Sequence, residues 1–567
     1  MPAHDPEATA FVAWFTANGG WIDAGCELQQ VPGMGRGLVA TRTFTENERV
    51  FSIPRRILVN LGTSKLESAC QAAEATQPPK GLAWSELVER GWCPLILMLL
   101  YEHWRAKHGA EPSWGPYFDV MPSKFDTPMF WTPQEVEELA GTDVMDKIGH
   151  EDAERDYHEC VLPYVQQYPE VFVGTTGEEA SGKIAEFYSL PMYHRMGSSI
   201  LSRSFHVKRD LKHAEADDAD IHSMPAEVSV QRDIPGEVEG DEEADESLGV
   251  EAEDDDEEED GEEEEEDDED VRDISMVPMA DMLNARFGSE NTRLFYKREV
   301  LEMRCTKPVE VGEQMLNTYG NPPNSDLLRR YGFVDEPNRG DLVELPAELV
   351  VDAAVAQIVE ATGAPQADVE SLAAARFEWA CTELGMDEAF LLPRLSKPED
   401  VAPYGSTLAL DPTQPAAPQK KALSRAAAHI PEDLMSFARL LCMPAAGYAK
   451  AQKRSALPNA RLDAVETPDV PGPRVTADAP VHLRVASVLL AVVEKRLAAY
   501  PSDWAHTAEA LRTCTLPGAA PQRMALVVRA GDETILTEHA AVLRLALAHE
   551  ATERAPRADA GKKARTA

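Results

Sequence analysis

The chain holds few residues in patterns that do chemistry unaided. There is no His-Glu-x-x-His pair for metal-assisted hydrolysis, no Gly-x-Ser-x-Gly nucleophile turn and no Walker loop. The 14 histidines form no ligand-spaced cluster and read as surface or packing residues. Eight cysteines, at 26, 70, 93, 160, 305, 381, 442 and 514, include no pair at metal or redox spacing. They read as reduced, mostly buried thiols of a cytosolic or nuclear protein. One glycine-rich run, Gly33-Met34-Gly35-Arg36-Gly37, could bring backbone close to a ligand. A phosphate cradle needs a helix to follow, and here the pattern after Gly37 is a strand. Alone, the run reads as a tight turn.

Four further segments hold polar and aromatic side chains at the ends of expected elements. Ser202-Arg203-Ser204-Phe205 puts a guanidinium at a helix end. Val277-Pro278-Met279-Ala280-Asp281-Met282-Leu283-Asn284 ends in an amide. Gly312-Glu313-Gln314 leads to Asn317-Thr318-Tyr319-Gly320, and Leu328-Arg329-Arg330-Tyr331-Gly332-Phe333 follows. Singly, each has a bland reading: Arg203 as a solvated helix-end residue, Tyr319 as a cap on a strand.

The elements that must position these residues follow from hydrophobic spacing. Gly37-Leu38-Val39-Ala40 and Val50-Phe51-Ser52-Ile53-Pro54 flank the polar turn Thr45–Glu48 and predict short strands. Between 83 and 206 the spacing is helical, as in Trp92, Leu95, Leu99 and again in Tyr157, Val161, Tyr164. Residues 293–317 predict a β-meander, with Leu301, Met303 and Cys305 alternating. Asn324 to Gly332 reads as a short helix with Asn324 as N-cap and Gly332 as stop. From about 341 the chain is Ala- and Leu-rich at helical spacing, for example 370–384, 431–441 and 481–497, which predicts an all-α second domain over 341–550. A Pro-rich stretch from Leu410 to Pro418 separates two helical groups.

The 567 residues suffice for two to four domains, and 43% hydrophobic residues can form a large core. The net charge of −45 argues against a nucleic-acid binder. Glu237 to Asp270 holds 25 acidic residues and no basic one, which leaves about −20 elsewhere. With no periodicity over 207–272, that segment predicts a disordered acidic insert. The last residues, about 551–567, predict a basic disordered tail. No secretory signal is visible at the N-terminus, and no apolar stretch approaches the length of a membrane span.

Taken in order, the segments Gly35-Arg36-Gly37-Leu38-Val39-Ala40, 202–205, 277–284, 312–320 and 328–333 resemble SET-domain protein-lysine methyltransferases. The resemblance is to the branch with the Rubisco and ribosomal-protein lysine methyltransferases. Pro116-Tyr117-Phe118, Pro128-Met129-Phe130-Trp131 and Leu441-Cys442-Met443-Pro444 are similar to its ribosomal lysine N-methyltransferase 4 type and the animal nuclear relative of that type. It covers 20–335 strongly and the rest more loosely.

The resemblance implies an α+β fold: a SET domain of small sheets over 20–335, interrupted by a helical insertion over about 80–206, then a helical substrate-binding domain. It implies S-adenosylmethionine as cofactor, with Gly35, Arg36, Gly37, Arg203, Asp281, Asn284, Ala285 and Tyr331 at its site. Asn284 matches the asparagine of the family's Asn-His pair, and Ala285 stands where the family has histidine. Tyr319 matches the catalytic tyrosine and Trp131 a wall of the lysine channel, though a core tryptophan fits Trp131 as well. The implied substrate is a basic protein, a ribosomal protein of the large subunit, methylated in the nucleus or also the cytoplasm, with no direct nucleic acid, membrane or metal involved. A second reading is a non-catalytic acidic SET-like module or chaperone that captures basic proteins; a third is a structural subunit held by its helical half.

Overall fold

A computed structural model describes residues 5–111, 113–207, 274–286, 288–396, 410, 419–455 and 481–553. The acidic run, the Pro-rich stretch after Leu410 and the basic tail beyond Glu553 lie outside these residues. The chain divides into two compact units, one of Met1–Met121 with Glu154–Tyr319, the other of Pro122–Ala153 with Gly320–Ala567.

Among the described residues the first unit carries ten strands: β1 Trp21–Ile22, β2 Cys26–Val31, β3 Gly35–Ala40, β4 Arg49–Pro54, β5 Ser204–His206, β6 Ile274–Met276, β7 Asn284–Ala285, β8 Thr292–Tyr296, β9 Val300–Cys305 and β10 Gln314–Asn317. They form a four-stranded sheet in the order β1-β4-β9-β8, a second in the order β2-β3-β10-β7, and the pair β5-β6. Side chains decide the first sheet. Val50, Phe51 and Ile53 of β4 and Leu301 and Met303 of β9 are fully buried. The second sheet begins as a tight hairpin, Val31 opposite Gly35, whose turn puts Gly33 at φ +78° and Gly35 at φ +74°. The glycine run is thus the turn its pattern predicted.

The single meander expected over 293–317 is split. β8 and β9 pair as a hairpin, whereas β10 leaves that sheet to lie between β3 and β7. The cause sits between them: Val309 bridges back to Phe44, and Gly312, at φ +89°, turns the chain toward β3.

The helical segment of this unit rests on Cys93–Lys107, buried along Leu95, Leu97, Leu99 and Leu100, which packs against Leu190–Arg203. That second helix stops at Arg203, and the chain passes directly into β5.

The second unit is mainly helical and adds a feature the sequence did not announce, the antiparallel pair β11 Leu342–Pro346 and β12 Ala389–Pro393. Its core joins Phe390, Phe437, Leu489, Val492, Ile535 and Leu536. The helix Val481–Leu497 packs on the 33-residue helix Pro521–Glu553. Residues 122–153, expected in the first domain, belong to this unit because Leu139 and Val144 share a core cluster with Leu328 and Met524. For the same reason the division falls after Tyr319, not near 335. Asn324 is not the N-cap expected: Pro323 caps, and the buried Asn324 receives Asp335 N–H on its side-chain oxygen at 2.8 Å. The helix becomes a π turn over Leu327–Tyr331 and stops at Gly332, φ +76°.

Candidate active site

The candidate site of the first unit is built on the β3-β10-β7 ribbon. β10 runs antiparallel to β3, Met315 opposite Leu38, and parallel to β7, Leu316 opposite Asn284 and Asn317 opposite Ala285. This places Gly37, Asn284 and Gln314 together. Asn284 Nδ2 donates to Gln314 Oε1 at 2.9 Å and to the Arg36 carbonyl at 3.2 Å. Gly37 lies beneath that pair: a Cβ there would fall 2.5 Å from Gln314 Oε1 and 2.7 Å from Asn284 Nδ2. Glycine is required here by close approach, not by an unusual φ.

Arg36 contributes backbone more than charge to this ribbon. Its guanidinium is taken by Asp5 at 2.9 Å, by the Val120 carbonyl at 2.8 Å and by Glu7. The Asp5 carboxyl, hydrogen-bonded by Arg36 against the cost of its partial burial, is held down at about 2.

The second cluster surrounds the turn 278–283. Met279 sits at φ +86°, outside the usual range for a side chain with a Cβ, and is completely buried. The turn presents two carbonyls. The Asp281 carbonyl accepts from Arg203 Nη1, and the Leu283 carbonyl accepts from the Tyr319 hydroxyl at 3.1 Å. The Asp281 side chain points away from solvent and accepts the Tyr117 hydroxyl at 2.6 Å. Burial pushes the Asp281 carboxyl up to about 6 despite the Arg203 charge and the Tyr117 hydroxyl. Burial likewise raises the Tyr319 phenol, with Arg203 acting against it and Asp281 with it, so Tyr319 is a neutral phenol at neutral pH.

Three side-chain polar atoms here are buried without a hydrogen-bond partner among the described residues: Arg203 Nε, Asp281 Oδ1 and Asn317 Oδ1. A buried donor left unmade is costly, so Arg203 Nε suits an anionic acceptor such as an amino-acid carboxylate.

Gly35, Arg36, Gly37, Arg203, Asp281, Asn284, Ala285 and Tyr319 all belong to the first unit. Trp131 and Tyr331 belong to the second. Trp131, partly buried, packs against the Leu139–Val144–Leu328 cluster and donates Nε1 to the Asp126 carbonyl at 2.9 Å. Tyr331 ends the π turn with its ring 6.1 Å from that of Phe333. Tyr117, Gln314 and Asn317 were not singled out from sequence. Each lies inside a segment that carried the family likeness, so the signal was present, but its chemistry depends on partners 30 to 164 residues away.

No protein-family model matches the chain. Ribosomal lysine N-methyltransferase 4 of Saccharomyces cerevisiae is 28% identical over 348 residues, covering 59% of this chain and 58% of that protein. The N-lysine methyltransferase setd6 of Xenopus laevis is 25% identical over 304 residues, covering 53% and 50%. The chain thus spans little more than half the length of the curated relatives it matches. Among solved structures, the SET domain of LSMT bound to lysine and AdoHcy superposes with a TM-score of 0.51 at 14% identity, covering 96% of this chain and 92% of that one. The chain has the SET fold and is related in sequence to SET-domain lysine methyltransferases.

Proposed function

We propose that the protein is an S-adenosylmethionine-dependent protein-lysine N-methyltransferase whose substrate is a basic protein, a ribosomal protein of the large subunit. The observation that carries the reading is the turn 278–283, which holds Arg203 on the Asp281 carbonyl and Tyr319 on the Leu283 carbonyl while leaving Arg203 Nε buried without an acceptor. The relatives named above support the activity, and the name of the yeast relative supports the ribosomal substrate.

The residues present fit the cofactor. Arg203 would hold its carboxylate, and the ribbon of Gly37, Asn284 and Gln314 would form its floor. When bound, the cofactor supplies an electrophilic methyl group on a sulfonium. The chain must then present a neutral lysine amine. At pH 7.4 a free lysine is about three units below its pKa of ~10.4, so deprotonation costs about 4 kcal/mol. Burial and a nearby cation lower that cost. Tyr319, its phenol kept neutral and its proton directed to the Leu283 carbonyl, meets an amine as acceptor and not as a rival nucleophile. Its contribution is to orient the amine.

The test has two parts: calorimetry of S-adenosylmethionine binding, and mass spectrometry of ribosomal proteins from cells with and without this protein. Saturable binding and the loss of a lysine methyl mark from a large-subunit protein are expected. Binding without any lost ribosomal mark would move the substrate elsewhere. A protein that takes no cofactor yet binds basic proteins would be the acidic binding module instead. The nuclear location expected from the family likeness is checked by microscopy of a tagged protein.

A further inference from the structure

The role of Tyr117 is unaccounted for by the family likeness and by the ribbon. It sits on the short helix Gly115–Val120, fully buried, and its hydroxyl meets the Asp281 carboxylate at 2.6 Å. The same helix offers its Val120 carbonyl to Arg36, 2.8 Å away, whose own carbonyl receives Asn284. This one turn and a half of helix therefore holds both the ribbon and the 278–283 turn.

The second attachment matters more. Between Pro278 and Leu283 the backbone is strained at Met279, and strain of that kind persists only where the surroundings fix it. The Asp281 side chain is what the surroundings grip, and its backbone carbonyl and that of Leu283 are what Arg203 and Tyr319 use. On the methyltransferase reading, we infer that Tyr117 is a positioning residue: by clamping the Asp281 carboxylate it fixes the two carbonyls that aim Arg203 at the cofactor carboxylate and Tyr319 at the lysine amine.

The charged and titratable groups facing Asp281 are Arg203, from the helix ending there, Tyr117, from its own helix, and Tyr319, beyond β10. Of these, Arg203 and the Tyr117 hydroxyl oppose the rise that burial imposes on the Asp281 carboxyl. Removing the hydroxyl leaves a carboxylate in a dry site with one donor fewer.

The experiment compares full-length wild type, Tyr117→Phe, Arg203→Ala and the double variant. In the unliganded proteins, the melting temperature of Tyr117→Phe should fall little below wild type at pH 5, where Asp281 is protonated, and much further at pH 8. A gap that does not change with pH would make the hydroxyl a packing group and overturn the clamp. Failure to fold at pH 8 with recovery at pH 5 is the expected result in its extreme form; failure at both overturns it. By calorimetry with S-adenosylmethionine, Tyr117→Phe should weaken binding about tenfold in the wild-type background and less than twofold in the Arg203→Ala background. Equal losses in both backgrounds, or none in either, would overturn the proposal. Absence of binding by wild type would instead remove the methyltransferase reading on which the clamp rests, a result separate from any behaviour of Tyr117→Phe.

Discussion

Asn284 and Gln314, 30 residues apart in sequence, join their side-chain amides at 2.9 Å directly over the backbone of Gly37. The contact is possible because β7 and β3 lie on opposite sides of β10, and because position 37 has no side chain. Gln314 also reaches back to the turn, its Nε2 3.3 Å from the Met34 sulfur. The amide pair thus locks the hairpin turn to the strand that leads to Tyr319.

Gly37→Ala should cost about 1–3 kcal/mol, the usual range for overpacking, because the new methyl meets two side-chain atoms already committed to each other. Gly35→Ala is the control: the space there is open, and only its φ of +74° opposes the change, at about 1–2 kcal/mol. Urea denaturation measures both. Cofactor affinity should fall for Gly37→Ala and stay near wild type for Gly35→Ala, since only the first displaces Asn284. Equal affinity losses for the two would break the link between the amide pair and the cofactor.

Tyr319→Phe should abolish most methyl transfer while the fold survives. The hydroxyl makes a hydrogen bond to the Leu283 carbonyl worth about 0.5–1.5 kcal/mol, too little to unfold the unit. Single-turnover methylation of a ribosomal-protein substrate checks the loss, and S-adenosylmethionine binding should be nearly unchanged. Near-wild-type turnover in the Phe variant would remove Tyr319 from its catalytic role.

The second unit has a pH signature of its own. Burial pushes Asp341 up to about 6, against hydrogen bonds from Asn324 and the charge of Arg394 and together with Asp335. The folded-state value lies above the unfolded one, near 3.9, so the folded protein keeps a proton that the unfolded chain has lost. Stability from this group is therefore present at pH 4 and below and falls as pH rises toward 6. Between pH 4.5 and 7 wild type should lose roughly 1–2 kcal/mol that Asp341→Asn does not lose. Denaturant titrations of both proteins at the two pH values test this. A pH-independent difference between them would mean that Asp341 is ionised throughout.

Sequence spacing exposed most elements with one polar and one apolar face. The helix expected over 481–497 spans Val481–Leu497, and Arg203 ends its helix as expected. The longest helix, Pro521–Glu553, was hidden because Asp532, Glu533, Glu538 and His539 are buried within it, which erases the contrast that reveals a helix. The pair β11-β12 escaped notice for a different reason: its strands are five residues each and lie either side of two helices. The site was legible as a set of segments, but not as contacts. That Arg36 would bind Asp5, or Asp281 bind Tyr117, depends on separations of 31 and 164 residues that no local pattern encodes.

The acidic run enters the molecule at a defined place. β5 and β6 pair antiparallel, with Ser204 opposite Met276, Phe205 opposite Ser275 and His206 opposite Ile274. The two ends of the described chain around residues 208–273 are therefore already neighbours, and a hairpin loop of a few residues spans such a gap. Replacing 208–272 by a short Gly/Ser bridge should leave the melting temperature of the first unit within a few degrees of wild type. The run carries 25 acidic residues between Glu237 and Asp270. A field of that sign raises the encounter rate of basic proteins and weakens as salt shortens the screening length from ~30 Å at 0.01 M to ~8 Å at 0.15 M. On the methyltransferase reading, the deletion should leave turnover of a short lysine peptide unchanged and raise the Michaelis constant for a full-length basic protein. The difference should shrink as salt rises, because screening removes what the deletion removes. Equal Michaelis constants for both enzymes at low salt would leave the run without a steering role. Loss of folding in the bridged protein would show that the β5-β6 pair needs more than its three paired positions on each side to close.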